Sequence, residues 1–320
     1  MNEFTIIKKY FSSLSNKNKG SLNLTDDIFF DHKKRIAITI DTFVEKTHFL
    51  NFKYPNLVIK KSLRASISDL VCKGIIPKYY FFSCSGSKKH LTQRNLAKIR
   101  LALSQEQKKY NIVLAGGDTS RSSKLSITIS AVGYSNKKPL RRSGAKMNDD
   151  IYITNTIGDA FVGLNVLKGK IRLSKKNSDY FISRFYLPNL PIKFSREIHL
   201  FANSAIDISD GFFQDLQHIL SSSNLSSKLF INKIPISKHL NSYLTRSNEN
   251  KLNYISNGDD YQILFTASKK KRNLIKNISK FTATKVSKVG IVKDKFSSKT
   301  AISVEEAIKL PKKIGYVHNF

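Results

Sequence analysis

Ile36, Ile38 and Ile40 alternate with Ala37 and Thr39, a period of two that predicts a strand, and Asp41 continues the Ala37–Thr39 face opposite the isoleucines. The spacing then changes. Over residues 57–73, Ile59, Leu63, Ile67, Leu70 and Val71 recur at helical intervals, and Gly74 and Pro77 end the run. A second, narrow face of this helix carries Ser62, Ala65, Ser66 and Asp69, small residues that let another element approach closely. A short strand is expected at 79–82 and a long helix through Leu96, Ile99 and Leu103. A buried strand over 112–115 ends in Gly116-Gly117-Asp118-Thr119, where glycines would let backbone approach a ligand. Leu125, Ile127, Ile129 and Ala131 alternate with Ser126, Thr128 and Ser130 in a further strand. Residues 1–20 carry an amphipathic pattern around Phe4, Ile7, Tyr10 and Phe11 that predicts an N-terminal helix.

Lys137-Lys138-Pro139 is the best boundary, dividing the chain into domains 1–137 and 138–320. Beyond it, 150–154 reads as a strand, and Asn155-Thr156-Ile157-Gly158 opens a helix through Phe161, Leu164 and Leu167. The pattern central to the second half is Ala205-Ile206-Asp207-Ile208-Ser209-Asp210-Gly211, a short buried strand, followed by helically spaced Phe212, Leu216, Ile219 and Leu220. Two carboxylates and a hydroxyl thus meet where a strand ends and a helix begins, and unpaired N–H groups at a helix N-terminus attract anions. Acids beside such a site make sense when divalent cations lie between carboxylate and phosphate. Asp210 alone would read as a helix cap; the recurrence of the pattern argues for more. Asn257-Gly258-Asp259-Asp260-Tyr261 precedes a strand at 262–266, and an aromatic stretch, Gly315-Tyr316-Val317-His318-Asn319-Phe320, follows near the C-terminus.

Composition changes this picture in two ways. The chain has 320 residues, enough for two domains, with 40% hydrophobic residues and only Cys72 and Cys84, which have no CxxC spacing. No long apolar span and no leader pattern appears, so a cytoplasmic protein with reduced thiols and no membrane partner is expected. The 55 basic residues exceed the 23 acidic ones by 32, but the lysines are spread along the chain with no recognition module, so compositional drift outweighs a specific nucleic-acid surface. Against that excess, six acids at strand ends, in loops or on the small-residue helix face stand out: Asp27, Asp41, Asp69, Asp118, Asp207 and Asp210. Oxygen-only ligands suit hard cations such as Mg²⁺, whereas zinc-type, P-loop and Ser–His–Asp patterns are absent. The residues alone point to a Mg²⁺-dependent enzyme acting on phosphates.

Thr25-Asp26-Asp27, Asp41-Thr42-Phe43-Val44 with His48-Phe49, Ser66-Ile67-Ser68-Asp69-Leu70, Gly116-Gly117-Asp118-Thr119, Arg142-Ser143-Gly144-Ala145-Lys146, Ile206–Gly211, Gly258-Asp259-Asp260-Tyr261 and Gly315-Tyr316 occur in one order along the chain. In that order they resemble the thiamine-monophosphate kinase family, of the aminoimidazole-ribonucleotide-synthetase (PurM-like) superfamily. The resemblance implies an α/β fold of two domains, the first dimerising through a mixed sheet, with ATP and thiamine monophosphate meeting in a cleft between them. It implies that Asp27, Asp41, Asp69, Asp118 and Asp207, with Asp210, hold several Mg²⁺ ions, with Asp118, Asp207 and Asp210 at the centre of catalysis. It further implies that Gly117, Asp118, Arg142 and Ser209 contact ATP, and that His48, Asp259 and Tyr316 face thiamine. The phosphate acceptor is already ionised, so direct in-line transfer without a classical base or covalent intermediate is expected. Three positions depart from the family pattern: Thr25 for the usual Gly, Ile40 where a hydroxyl residue often stands, and Asp259 for the usual Glu. The alternatives are another ATP-dependent enzyme of the superfamily, such as an aminoimidazole ribonucleotide synthetase, and a basic nucleic-acid-binding homologue.

Overall fold

The computed structural model describes residues 1–295, 301–304, 310–311 and 314–318; Asn319 and Phe320 of the aromatic stretch lie outside these. Two mixed sheets organise the chain. The first has the order β1-β2-β5-β3-β4, from β1 (Phe29–Asp31), β2 (Ile36–Val44), β3 (Ile76–Gly86), β4 (Val113–Arg121) and β5 (Ser126–Tyr134), antiparallel except for the parallel β3–β4 pair. The second has the order β11-β8-β10-β6-β9-β7, from β6 (Asp150–Thr154), β7 (Ala202–Asp207), β8 (Ser226–Leu229), β9 (Ile263–Ala267), β10 (Val286–Lys293) and β11 (Ile302–Val304). Among the described residues no helix is long and apolar enough to cross a membrane.

The helix Pro55–Cys72 joins the two halves. Pro55 starts it at a position where a missing N–H costs nothing. Ile59, Leu63, Ile67 and Leu70 enter the core beneath β2 and β5, as their spacing requires. Ser62, Ala65 and Ser66 of the small-residue face are buried as well, and the adjoining Ser68 and Val71 meet the second half of the chain. Ser68 Oγ donates to Asp207 Oδ2 at 2.5 Å, and Val71 O accepts from Ser195 Oγ at 2.6 Å. Val71 and Cys72 accordingly belong to a cluster with Phe194, Ala205 and Phe265. Asp69 therefore lies at a junction of two sheets.

Strand β2 keeps its period of two, with the inward face formed by Ala37, Thr39 and Phe43, while Ile38 and Ile40 face outward. Register places Ile38, Val132, Tyr79 and Val113 in one outward row and Ile40, Ser130, Phe81 and Gly116 in the next. Ile40 is 67% exposed, and Tyr79, Phe81, Val113 and Leu114 are exposed too. The result is an apolar sheet face ending in β4, every residue of which is exposed.

Two expectations are corrected. The strand expected at 79–82 extends over Ile76–Gly86, so Pro77, which ends the preceding helical run, also lies inside β3. The strand expected to be buried over 112–115 and to end at Gly116-Gly117-Asp118-Thr119 is exposed and continues, because parallel pairing with β3 carries β4 through to Arg121. Gly117 is required there by strand packing, since a Cβ would come 1.9 Å from Phe82 O. The expected N-terminal helix is present but changes type along its length, α over Glu3–Ile6, π over Ile7–Phe11 and 3-10 over Ser12–Ser15, with no buried residue over Glu3–Phe11.

Candidate active site

A cleft of about 1510 Å³ opens between the two sheets, and β2, the helix Pro55–Cys72, the end of β7 and the 256–261 loop all line it. β7 ends at Asp207, and the helix Phe212–Ser223 begins just after Gly211, which takes φ 134°. The loop between them is laced to the 256–261 loop: Asp259 N donates to Ser209 O at 2.9 Å and Tyr261 N to Ile208 O at 2.8 Å. Gly258 makes this approach possible, since a Cβ there would lie 1.7 Å from Ser209 O. Tyr316 N donates to Asp210 O at 3.1 Å, which anchors the C-terminal segment at the same rim.

Carboxylate oxygens of Asp27, Asp69 and Asp207 lie within 4.8 Å of one another. Thr39 Oγ1 donates to Asp69 Oδ2 at 2.5 Å, so β2, the central helix and β7 converge on one cluster. Burial pushes the Asp207 carboxyl up to about 7, with the Asp27 charge adding and the Ser68 hydroxyl opposing. Asp41 rises to about 6 through burial and the charge of Asp27. Asp69 lies well above the usual carboxylate range, from burial and then the charges of Asp41 and Asp207. Burial also lifts Asp210 to about 6, against a hydrogen bond from Gln214. Buried side by side, these acids raise one another's pKa, and their donor set is oxygen only. The set fits a hard divalent cation.

Asp27 behaves differently. Burial alone would raise it, but Arg142 and Lys73 hold it well below the usual range. Arg142 Nη2 pairs with Asp27 Oδ1, and Lys73 Nζ lies 2.6 Å from Asp27 Oδ2. Arg142 N donates to Asp26 Oδ2 at 3.0 Å, while buried Arg142 Nε has no hydrogen-bond partner among the described residues. At the other side of the cleft, Asp259 Oδ1 meets Lys61 Nζ at 2.8 Å and accepts from Tyr261 Oη at 3.1 Å. Lys61 is buried and stands over the Phe185 ring, 3.3 Å from its centroid. His48 Nδ1 accepts from Val44 N at 3.0 Å, and burial lowers the His48 pKa.

Of the residues expected at the site, Asp27, Asp41, His48, Asp69, Arg142, Asp207, Ser209, Asp210, Asp259 and Tyr316 line this cleft. Gly117 and Asp118 do not. Asp118 sits in an outward row with Thr42, Thr128 and Ser83, on the face opposite Asp41. Sequence reasoning missed Lys61 and Lys73, and singled out Asp27 but not Asp26. Lys73 closes the apolar run Leu70-Val71-Cys72, a pattern that does not single it out among 55 basic residues. A second group, Asp210, Asp215 and His218, also brings ligand atoms within 4.8 Å. There Asp215 Oδ2 accepts from the Asp210 and Gly211 N–H groups and shapes the loop.

The family described as AIRS, AIR synthase related protein, N-terminal domain, matches residues 24–135. Over 285 residues the chain is 36% identical to the thiamine-monophosphate kinase of Buchnera aphidicola subsp. Acyrthosiphon pisum, covering 87% of this chain and 87% of that one. The chain belongs to the thiamine-monophosphate kinase family. A further family member, from Haemophilus influenzae, is 33% identical over 83% of this chain and 81% of its own. The solved structure of AaThiL complexed with AMPPCP and TMP superposes with a TM-score of 0.86 at 25% identity, covering 99% of this chain and 97% of that one. The two-domain PurM-like fold of the family is thus the fold observed here, a mixed α/β architecture built on two sheets.

Proposed function

We propose that this chain transfers the γ-phosphoryl group of ATP directly to the phosphate of thiamine monophosphate, using Mg²⁺ held by its acidic cluster, as a cytoplasmic homodimer. The observation that carries this reading is the convergence of Asp27, Asp69 and Asp207 in a cleft that also presents Arg142, Ser209 and Asp259. The relative complexed with AMPPCP and TMP supports both substrates.

Asp27, Asp69 and Asp207 would hold Mg²⁺, with Asp41 and Asp210 close by. Bound there, the metal supplies positive charge that offsets repulsion between two phosphate groups. Arg142 offers a planar donor to the nucleotide, its backbone fixed by Asp26 and its Nε still to be satisfied. Ser209 and Asp210 stand ahead of the N-terminus of the helix Phe212–Ser223, where phosphate oxygens are favoured. The acceptor oxygen is ionised at neutral pH, so no side chain has to remove a proton. Asp259 has one oxygen fixed by Lys61 and Tyr261, which leaves the other to face the thiamine moiety beside His48 and Tyr316.

The exposed apolar face of the first sheet supports the dimer, because contiguous patches of this kind mark interaction surfaces. Asp118 shares that face and Gly117 sits beside it in the same strand, so their proposed roles belong to the paired molecule rather than the single chain. The buried free thiols of Cys72 and Cys84 suit a reducing compartment. The test is phosphate transfer from ATP, with and without Mg²⁺, to thiamine monophosphate and to thiamine. Thiamine diphosphate should form only from the monophosphate and only with metal. A folded protein that binds ATP yet yields no product would refute the reading.

A further inference from the structure

Lys73 follows the helix Pro55–Cys72 and is completely buried. Its ammonium contacts three oxygens: Asp26 Oδ1 at 2.7 Å, Asp27 Oδ2 at 2.6 Å and Ala205 O at 2.8 Å. It forms an ion pair with each carboxylate and a hydrogen bond to the carbonyl, so its buried charge is compensated on three sides. The Asp26 and Asp27 side chains are themselves only 4% and 7% exposed. Two carboxylates and a carbonyl around one buried positive charge are the surroundings that hard-oxygen sites give a small cation. Asp27 is also one of the three acids whose oxygens converge. The lysine therefore reaches into the cluster itself and does not pair with acids elsewhere.

We propose that Lys73 is a tethered cation in the acidic cluster, neutralising Asp26 and Asp27 in the place of one divalent ion, so that the cluster takes one metal ion fewer than its carboxylates would otherwise hold. This rests on reading the cluster as a Mg²⁺ site. A covalently attached charge stays in place whatever the free Mg²⁺ concentration. It keeps the Asp26–Asp27 loop ordered before metal and nucleotide arrive. Asp26 Oδ2 remains fixed as the acceptor for Arg142 N, so Lys73 also positions the arginine proposed to meet ATP.

The test compares the full-length wild type, Lys73→Met and Lys73→Arg in metal-free buffer and in Mg²⁺ at matched ionic strength. Removing the buried cation leaves two carboxylates uncompensated, which strongly destabilises a fold unless another cation enters. The metal-free Lys73→Met protein should melt lower than wild type. Its Mg²⁺-induced rise in melting temperature should exceed that of wild type by about 3–6 °C when Mg²⁺ is tenfold above its Kd. Mn²⁺ bound in the presence of a non-hydrolysable ATP analogue, counted by electron paramagnetic resonance, should increase by one ion per chain. Lys73→Arg, which keeps the charge, should match the wild type in both respects. An equal Mg²⁺ response and an equal Mn²⁺ count in Lys73→Met would overturn the proposal, as would an extra ion in Lys73→Arg. If Lys73→Met does not accumulate as soluble protein, refolding yield replaces the melting curve. Recovery in Mg²⁺ supports the tethered cation, and a yield indifferent to Mg²⁺ overturns it. Failure of the underlying kinase reading would show separately, as absent Mg²⁺-dependent transfer in the wild type.

Discussion

Asp207→Asn separates what the acidic cluster does for stability from what it does for chemistry. Asp207 is 2% exposed, and its carboxyl is pushed up to about 7 from 3.8. The folded state thus favours the protonated form, and the unfolded chain releases that proton first. The contribution of Asp207 to stability is fully present below 3.8 and is lost as pH rises from there through about 7. Roughly three pKa units at about 1.4 kcal/mol each put the cost of an ionised Asp207 at about 4 kcal/mol as an upper bound, in metal-free protein at pH 8. Asparagine removes the charge and keeps an oxygen to accept from Ser68 Oγ. In chelator at pH 8 the variant should melt several degrees above wild type, and the gap should close near pH 4. Phosphoryl transfer should meanwhile fall by a factor on the order of 100, since a ligand to the charge-neutralising metal is lost. Thermal melts in EDTA across pH 4–8, paired with turnover in Mg²⁺, read both effects. A variant less stable than wild type at pH 8, or turning over at a near-normal rate, would refute the reasoning.

Other perturbations probe the remaining parts of the site. Asp259→Asn keeps the shape of the side chain but weakens a charged contact, so KM for thiamine monophosphate should rise about tenfold or more while KM for ATP holds; equal changes in both would argue against a thiamine-facing role. Gly258→Ala places a methyl 1.7 Å from Ser209 O, and prising apart the two laced loops should cost about 1–3 kcal/mol and most of the activity, measured by denaturant unfolding and turnover. Phe81→Glu puts a charge in the exposed apolar face of the first sheet and should yield a folded monomer in sedimentation velocity; an unchanged assembly state would remove that face as the dimer interface.

The parts of the fold that were legible in the sequence are those where one local rule decides. Alternation along Ser126–Tyr134 gave the inward face of β5 directly, because Ile127, Ile129 and Ala131 pack on a single core. Helical spacing over Pro55–Cys72 was equally plain, and so was the strand-to-helix passage through Asp207 and Gly211. What stayed hidden depends on partners distant in sequence. Ile38 and Ile40 look like core residues in a strand pattern, yet the helix covers the Ala37–Thr39 face, and no local feature says which side receives it. Gly116-Gly117 resembles a turn until pairing with β3 is known, and Phe82 O then explains the second glycine better than a ligand does. The acids could be selected from the sequence because each interrupts an apolar or small-residue stretch in a chain with an excess of 32 positive charges. The buried lysines could not be selected by the same argument. Among 55 basic residues Lys61 and Lys73 look ordinary, and only the fold reveals that one faces Asp259 and the other closes on Asp26 and Asp27. A general excess of charge of one sign therefore obscures the functional residues of that sign and exposes those of the other.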